Sequence, residues 1–175
     1  MLHKCNQCKE QTIRERNGIR LSKLCKPCRD QKAAKKTLKH QATKGYAKAR
    51  FKTLHKKAWI LFSRWLRFSQ AIDGWVRCYT CPTKILVPEA QAGHYFHGKL
   101  DFDTRNIHPQ CSQCNLYKSG NLAYYGVKLA EELGVDGMQQ LRLDSNTKIY
   151  TISDLEGIIE EYTKKLNEIS PRTSS

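Results

Sequence analysis

Apolar residues are sparse along this chain, and their spacing divides it into segments. Near the C-terminus Leu155, Ile158, Ile159, Tyr162 and Leu166 recur every three or four positions, the period that lays one apolar stripe along a helix. Ser153-x-x-Glu156 stands at their head as a capping box, so the helix is expected to open there. Leu122, Tyr125, Leu129 and Leu133 keep the same period up to Gly134, which predicts a second helix ending at that glycine. Leu54, Ala58, Leu61, Trp65, Phe68 and Ile72 keep it again inside a longer stretch, 31–72. The early part of that stretch is rich in Ala, Lys and Gln, so the whole of it is predicted as helix, ended by Asp73-Gly74. Trp59 and Trp65 read as core or interface aromatics. Between 74 and 121 the pattern shortens. The runs 84–87 and 93–96, separated by Pro82, Pro88 and Gly98, predict a β-hairpin followed by a helix starting near Cys111.

Size and charge narrow the picture. A chain of 175 residues cannot bury a large core in either half without help. It carries 31 Lys and Arg against 16 Asp and Glu, a formal charge of +15, which argues for a polyanionic partner, nucleic acid by default. The charge is localised: the stretch 31–72 holds no acidic residue at all. Its cations Lys32, Lys35, Lys36, Lys39, Lys44, Lys48, Arg50, Lys52, Lys56 and Lys57 are the candidate DNA contacts, joined by Arg105 and Lys118 further on. The start, MLHKCNQCKE, has no apolar h-region, and no apolar run is long enough to span a bilayer. A membrane protein is therefore not expected, and the cytoplasm of a bacterial host is.

The eight cysteines fall into four close pairs, which suits metal ligation in a reducing compartment better than disulfides. Cys78/Cys81 and Cys111/Cys114 bracket one loop; Cys5/Cys8 and Cys25/Cys28 repeat the pattern at the N-terminus. Each set supplies the four thiolates of a tetrahedral zinc, so two structural zinc ions are expected. The N-terminal set reads as a zinc ribbon with a basic face from Arg14, Arg16, Arg20, Lys23, Lys26 and Arg29.

Inside the second set, Gly93-His94-Tyr95, Asn106-Ile107-His108 and Cys114-Asn115 followed by Lys118 trace the order His, Asn, Asn. This order resembles the HNH, or ββα-metal, nucleases, and within them the endonuclease VII group of junction resolvases, whose last knuckle also runs Cys-x-x-Cys-Asn. The AGHY, RNIH-x-QC-x-x-CN and KSGNL blocks are similar to those of the phage NinG/Rap recombination nucleases, and the likeness runs from the first cysteines to the final helix. It implies a metal-dependent endonuclease that cleaves branched DNA such as Holliday junctions and D-loops, leaving 5′-phosphate and 3′-hydroxyl ends. It also implies that Asn106 pins the loop through backbone hydrogen bonds. Phage or host recombination proteins are further expected partners.

Hydrolysis of a phosphodiester needs a deprotonated water and a cation to take up developing charge. His94 suits the base, since imidazole titrates near working pH. Asn115 offers a hard amide oxygen for one catalytic Mg²⁺ or Mn²⁺, held in place by the neighbouring Cys114. The resemblance is broken at Gly93, where many such nucleases carry an Asp ligand. A second ligand must then come from elsewhere, with Asp101, Asp103, Glu89 and His108 as candidates. His97 reads as a loop residue facing substrate or solvent, and His3, His40 and His55 lie outside the motif without an assigned part.

The expectation is thus a small, zinc-stabilised α+β protein: a zinc-binding ribbon over 1–30, a basic amphipathic helical arm over 31–73, a ββα-metal core with its zinc over 74–134, a helical packing or dimerisation segment over 135–169, and a disordered tail over 170–175. A homodimer is expected, because a four-way junction takes two cuts and one chain holds one His94. The stripes 54–72 and 155–166 are the surfaces available for it, the alternative being that both are buried within one subunit, since a small zinc-stapled core must recruit nearby helices to cover itself. Two other readings compete: a sequence-specific or nicking HNH endonuclease, and a non-catalytic double-zinc nucleic-acid-binding protein.

Overall fold

A helix without an apolar face dominates the first of two units, Met1–Ala49 and Arg50–Ser175, into which the chain divides. The computed structural model describes residues 2–4, 6–9, 11–13 and 26–169. Strand β1 (Leu2–Lys4) pairs antiparallel with β2 (Gln11–Ile13), and helix α1 (Lys26–Ser69) begins in this unit and runs on into the second. The helix starts five residues before the expected arm. Pro27 is no obstacle there, because a first-turn residue has no intrahelical use for its N–H.

Two members of the expected N-terminal zinc set, Cys8 and Cys28, lie among the described residues. Cys8 is exposed on the turn between β1 and β2. Cys28 is buried on the first turn of α1. Cys5 and Cys25, with Arg14, Arg16, Arg20 and Lys23, lie outside the described residues, as does the tail 170–175.

Every α1 residue from 29 to 50 is exposed. Lys32/Lys36, Lys35/Lys39 and Lys44/Lys48 stand four apart on this surface, and like charges at that spacing each cost a helix roughly 0.2–0.5 kcal/mol.

In the second unit the apolar period of α1 takes hold. Ala58, Phe62 and Leu66 are fully buried along one stripe. The Phe62 ring meets Tyr162 of helix α3 (Ile152–Ile169) edge-on with centroids 5.0 Å apart, and Trp65 lies 5.0 Å from the same ring. Leu155 and Tyr162 are buried on α3. The two stripes offered as dimer surfaces therefore cover each other within one chain, as a small core requires. Ile72 does not share in this: α1 ends at Ser69, and Ile72 is 77% exposed. Asp73 (φ 51°) and Gly74 (φ 79°) form a tight reversal closed by hydrogen bonds between Ile72 and Trp75. Two consecutive positive φ values mark the turn that joins antiparallel strands, so Asp73-Gly74 reverses the chain instead of capping the helix.

Beyond that turn come two hairpin pairs. Strand β3 (Trp75–Arg77) pairs with β4 (Lys84–Leu86), and β5 (Gln91–His94) with β6 (Ile107–Gln110), all antiparallel. The expected strands 84–87 and 93–96 correspond to β4 and β5, shifted by one or two residues. Strands β3 and β6 carry no alternation long enough to read, and β6 contains Pro109. Arg67 of α1 donates to the Ala90 carbonyl at 2.8 Å and so ties the helix to the β4–β5 connection. A one-turn π-helix (Gln113–Tyr117) replaces the expected helix near Cys111, and a 3₁₀ turn (Ser119–Asn121) leads into α2 (Leu122–Thr147). Gly134, at φ 67° and ψ −179°, breaks α2 into two helical runs; the predicted stop is a kink, and the second run brings Leu141 into the core with Tyr125 and Leu129.

The cap of α3 lies two residues before the expected box. Thr151 and Asp154 bond reciprocally, Thr151 N–H to Asp154 Oδ2 at 2.7 Å and Asp154 N–H to Thr151 Oγ1 at 3.2 Å. Glu156, released from that role, pairs with Arg50 at 2.7 Å on the surface. Among the described residues no helix is long and apolar enough to cross a membrane.

Candidate functional site

The cysteine knuckles of the second unit stand at the β3–β4 turn and at the end of β6. Cys78, Cys81, Cys111 and Cys114 place all four sulfurs within 4.8 Å of one another. A tetrahedral zinc with Zn–S bonds of about 2.3 Å has sulfur–sulfur edges of about 3.8 Å, and Cys81 and Cys111 stand 3.8 Å apart. Ionisation is uneven in this crowd. Burial pushes the Cys81 thiol up, but hydrogen bonds from Thr83, Cys78 and Cys114 outweigh it and bring it down to about 6. Burial, with Cys114 and Cys78 adding to it, pushes Cys111 up to about 12, and burial also raises Cys114. Thiols that resist ionising side by side are the donor set a dication resolves, since its charge stabilises all four thiolates. Outer contacts orient them: Thr80 lies 3.7 Å from Cys78 Sγ, Thr83 3.3 Å from Cys81 Sγ, and Asn121 Nδ2 3.8 Å from Cys114 Sγ. A zinc ion fits this cluster.

The loop between β5 and β6 is organised by Asn106, which is fully buried. Its Oδ1 accepts the Phe96 N–H at 2.7 Å, and its Nδ2 donates to the carbonyls of Phe96 at 2.9 Å and Leu100 at 3.2 Å. The Tyr125 hydroxyl lies 3.0 Å from the Gly93 carbonyl and 3.1 Å from that of Asn106; burial raises its pKa, so it stays a neutral donor. Asn106→Ala is expected to strip partners from these buried backbone groups at about 1–3 kcal/mol each. A fall in thermal midpoint corresponding to about 3 kcal/mol or more, in the zinc-loaded protein, checks this.

His94 closes β5. Its ring stacks on Trp59 with centroids 4.8 Å apart and planes at 19°, and His97 lies 5.4 Å away. Its Nε2 is buried and makes no hydrogen bond, with Asp101 Oδ1 3.4 Å off. The other Asp101 oxygen, Oδ2, is 3.0 Å from His55 Nε2. The structure thus brings His94 and Asp101 together and adds His55 and Trp59, one helical turn apart on α1. Sequence reasoning gave His55 no part and Trp59 only a packing part; the one signal was their four-residue spacing on the apolar stripe.

Gly93 has a local reason. A Cβ there would lie 1.9 Å from Gln110 Oε1, and Gln110, fully buried, spends its amide donors on Thr80 Oγ1 at 2.9 Å and the Gly120 carbonyl at 2.7 Å. An Asp at this position would displace the side chain that joins the zinc knuckle to the turn before α2.

The other candidate metal ligands are dispersed. Asp103 is engaged by Arg105 at 2.6 Å, and Arg105 also reaches Asp144 at 2.7 Å. These bonds, Asp103 first, hold the guanidinium charged, so Arg105 is a structural cation more than an open phosphate contact. His108 stacks on Tyr79 at 3.9 Å, and burial lowers its pKa. Because it pairs with Gly93, while His94 pairs with Ile107, strand alternation places it on the opposite face from His94. Asn115 donates to Gln91 Oε1 at 2.7 Å, and Gln91 shares the Gly93 face by the same alternation. Glu89 is exposed on the β4–β5 connection. Among the described residues Cys78, Cys81, Cys111 and Cys114 form the only cluster of three or more metal-binding side chains, and neither Cys8 nor Cys28 belongs to it. Lys32, Lys35, Lys36, Lys39, Lys44, Lys48, Lys52, Lys56, Lys57 and Lys118 are all exposed.

A family model described as bacteriophage lambda NinG protein matches residues 1–171. The chain is 34% identical over 119 residues to protein ninG of Salmonella phage P22, covering 61% of this chain and 58% of that one. It is 33% identical to protein ninG of Escherichia phage lambda and 32% identical to that of Escherichia phage 933W, each over 119 residues and 61% of this chain, with 58% and 59% of the relatives covered. The matched region therefore spans under two thirds of these relatives' length. No solved structure matches the chain.

Proposed function

The chain belongs to the NinG family of bacteriophage proteins, and from that premise we propose that it is an endonuclease of phage recombination, cutting branched DNA at a site centred on His94. The observation that carries the reading is the surroundings of His94. An imidazole sits at the rim of a zinc-fixed hairpin, held by stacking on Trp59 and facing a carboxylate, beside a loop locked from within by Asn106. A module that only binds DNA has no use for a fixed imidazole.

In this reading His94 takes a proton from a water molecule, the water oxygen attacks phosphorus, and the P–O3′ bond breaks. The products are 5′-phosphate and 3′-hydroxyl ends, the leaving oxygen drawing its proton from solvent. A magnesium or manganese ion would supply charge stabilisation at the phosphate. Asn115 is its candidate ligand, with water and substrate phosphate oxygens completing the shell in the way Mg²⁺ commonly binds.

DNA affinity is assigned to α1. Its lysines repel one another along an exposed helix that carries no acidic residue after Asp30, and phosphates relieve that repulsion while counterions are released. Replacing Lys35, Lys36 and Lys39 together by Gln is expected to weaken binding to linear and branched DNA alike. It should also lower the slope of log K against log salt by roughly one per lost phosphate contact. Titration at several salt concentrations checks this, and an unchanged slope moves the DNA path elsewhere.

Two cuts on a four-way junction call for two His94 sites, so two copies act together; the α1–α3 seam is internal, and their contact lies elsewhere. Cleavage of a junction compared with linear duplex of the same sequence tests the substrate. Junction-dependent cuts support the proposal, cuts at one sequence in both DNAs support a sequence-specific HNH enzyme, and binding without cuts supports a double-zinc binding protein.

A further inference from the structure

We infer that Asp101 is a positioning residue that sets the tautomer of His94, and that His55 anchors it from α1. The inference rests on the nuclease reading for its kinetic consequence but not for its geometry. Asp101 is largely buried, its side chain 16% exposed, and its ion-pair partners among the described residues are these two histidines, one on each oxygen. A buried carboxylate facing imidazole nitrogens takes their N–H protons, because a lone pair turned toward it is repelled. His94 Nε2 is itself buried with no hydrogen bond, so its proton is best placed toward Oδ1. That leaves the lone pair on Nδ1, the nitrogen that can receive a proton from water. When it does, the imidazolium forms beside the Asp101 side chain.

The surroundings hold this carboxylate still. Leu100 on one side is buried and its carbonyl accepts from Asn106 at 3.2 Å. Phe102 on the other packs edge-on against Phe62 at 5.8 Å and Tyr150 at 5.1 Å. His55 is wedged against Phe102 at 5.2 Å, and Trp59, one turn on, stacks on His94. One face of α1 thereby fixes both the carboxylate and the ring it serves. A metal shared by the two histidines is a weaker explanation, since their donor atoms and those of Asp101 do not converge as the cysteine sulfurs do.

The test is Asp101→Ala, with His55→Gln as a second variant, in the zinc-loaded protein. Imidazole N–H resonances are followed by ¹⁵N-edited NMR without DNA. Slowly exchanging protons on both His55 and His94 are expected in the wild type and are lost in Asp101→Ala. The proton of His108, bonded to the Arg105 backbone and stacked on Tyr79, persists as the control for an intact fold. His55→Gln keeps the His94 resonance but broadens it. On junction DNA, Asp101→Ala lowers kcat about 10²-fold or more with KM little changed, and Asp101→Glu restores part of it. A His94 resonance that survives in Asp101→Ala, or unchanged kcat, overturns the inference. Absence of cleavage by the wild type overturns the nuclease reading instead, and leaves the NMR comparison to decide this one.

Discussion

Replacing His94 by alanine is expected to lower cleavage of branched DNA by about 10²–10⁴-fold while leaving affinity for the same DNA within about twofold. The rate loss follows from the usual contribution of a positioned general base. The intact affinity follows from the division of labour: phosphate contacts are assigned to exposed lysines on α1, whereas His94 is mostly buried, its side chain 16% exposed. Structural damage should be slight, because Ile107 opposite and Trp59 beneath remain packed. Single-turnover cleavage and a binding titration on one junction separate the two quantities. Equal loss of rate and affinity points to a DNA contact, and an unchanged rate removes His94 from the chemistry.

Serine at Cys111 is expected to be more drastic, since it should unfold the second unit. A structural zinc contributes on the order of 10–16 kcal/mol in small finger peptides, as much as the roughly 5–15 kcal/mol net stability of a typical domain. Cys111 anchors the end of β6, its neighbour Gln110 bonds Thr80 and Gly120, and its sulfur accepts the Cys114 N–H at 3.4 Å. Without the metal, buried thiols and Val76, Ile85 and Val87 are left with little else to hold them. Elemental analysis should find about two zinc ions in the wild type, one for each set of four cysteines. Cys111→Ser should keep about one and lose its near-ultraviolet dichroism. Serine at Cys25 should also remove one zinc, yet spare that dichroism and weaken DNA binding. One zinc in the wild type and in Cys111→Ser alike would assign the metal elsewhere.

The spacing of Cys78, Cys81, Cys111 and Cys114 made their cluster legible because ligand chemistry is local: two tight Cys-x-x-Cys turns need only come together once. The same spacing recurs at the N-terminus, where Cys5 and Cys25 lie outside the described residues and Cys28 stands on the first turn of α1. The α1, α2 and α3 stripes were legible because each segment carries its period alone. What escaped depends on contacts between segments. Nothing near Asp101 in sequence says that His55 will meet it, and α1 must pack on the β5–β6 hairpin before that pair exists. The choice of Thr151-Asp154 over Ser153-Glu156 as the cap was equally hidden. Both spacings fit a capping box, and the position of α3 against Phe62 and Arg50 decides between them. Asp73-Gly74 misled because a glycine after a helical run looks like a stop, while two successive positive φ values make it a strand reversal. Gly93 had its reason in Gln110, which stands diagonally across from it on β6.

The central claim is hydrolysis of DNA by a His94-centred site, and one measurement reaches it directly. The zinc-loaded protein is incubated with an end-labelled four-way junction, with Mg²⁺ added or omitted, and the ends of any product are analysed. The account predicts cuts only when Mg²⁺ is present, with 5′-phosphate and 3′-hydroxyl termini. Tight binding of the junction with no cut under either condition contradicts it.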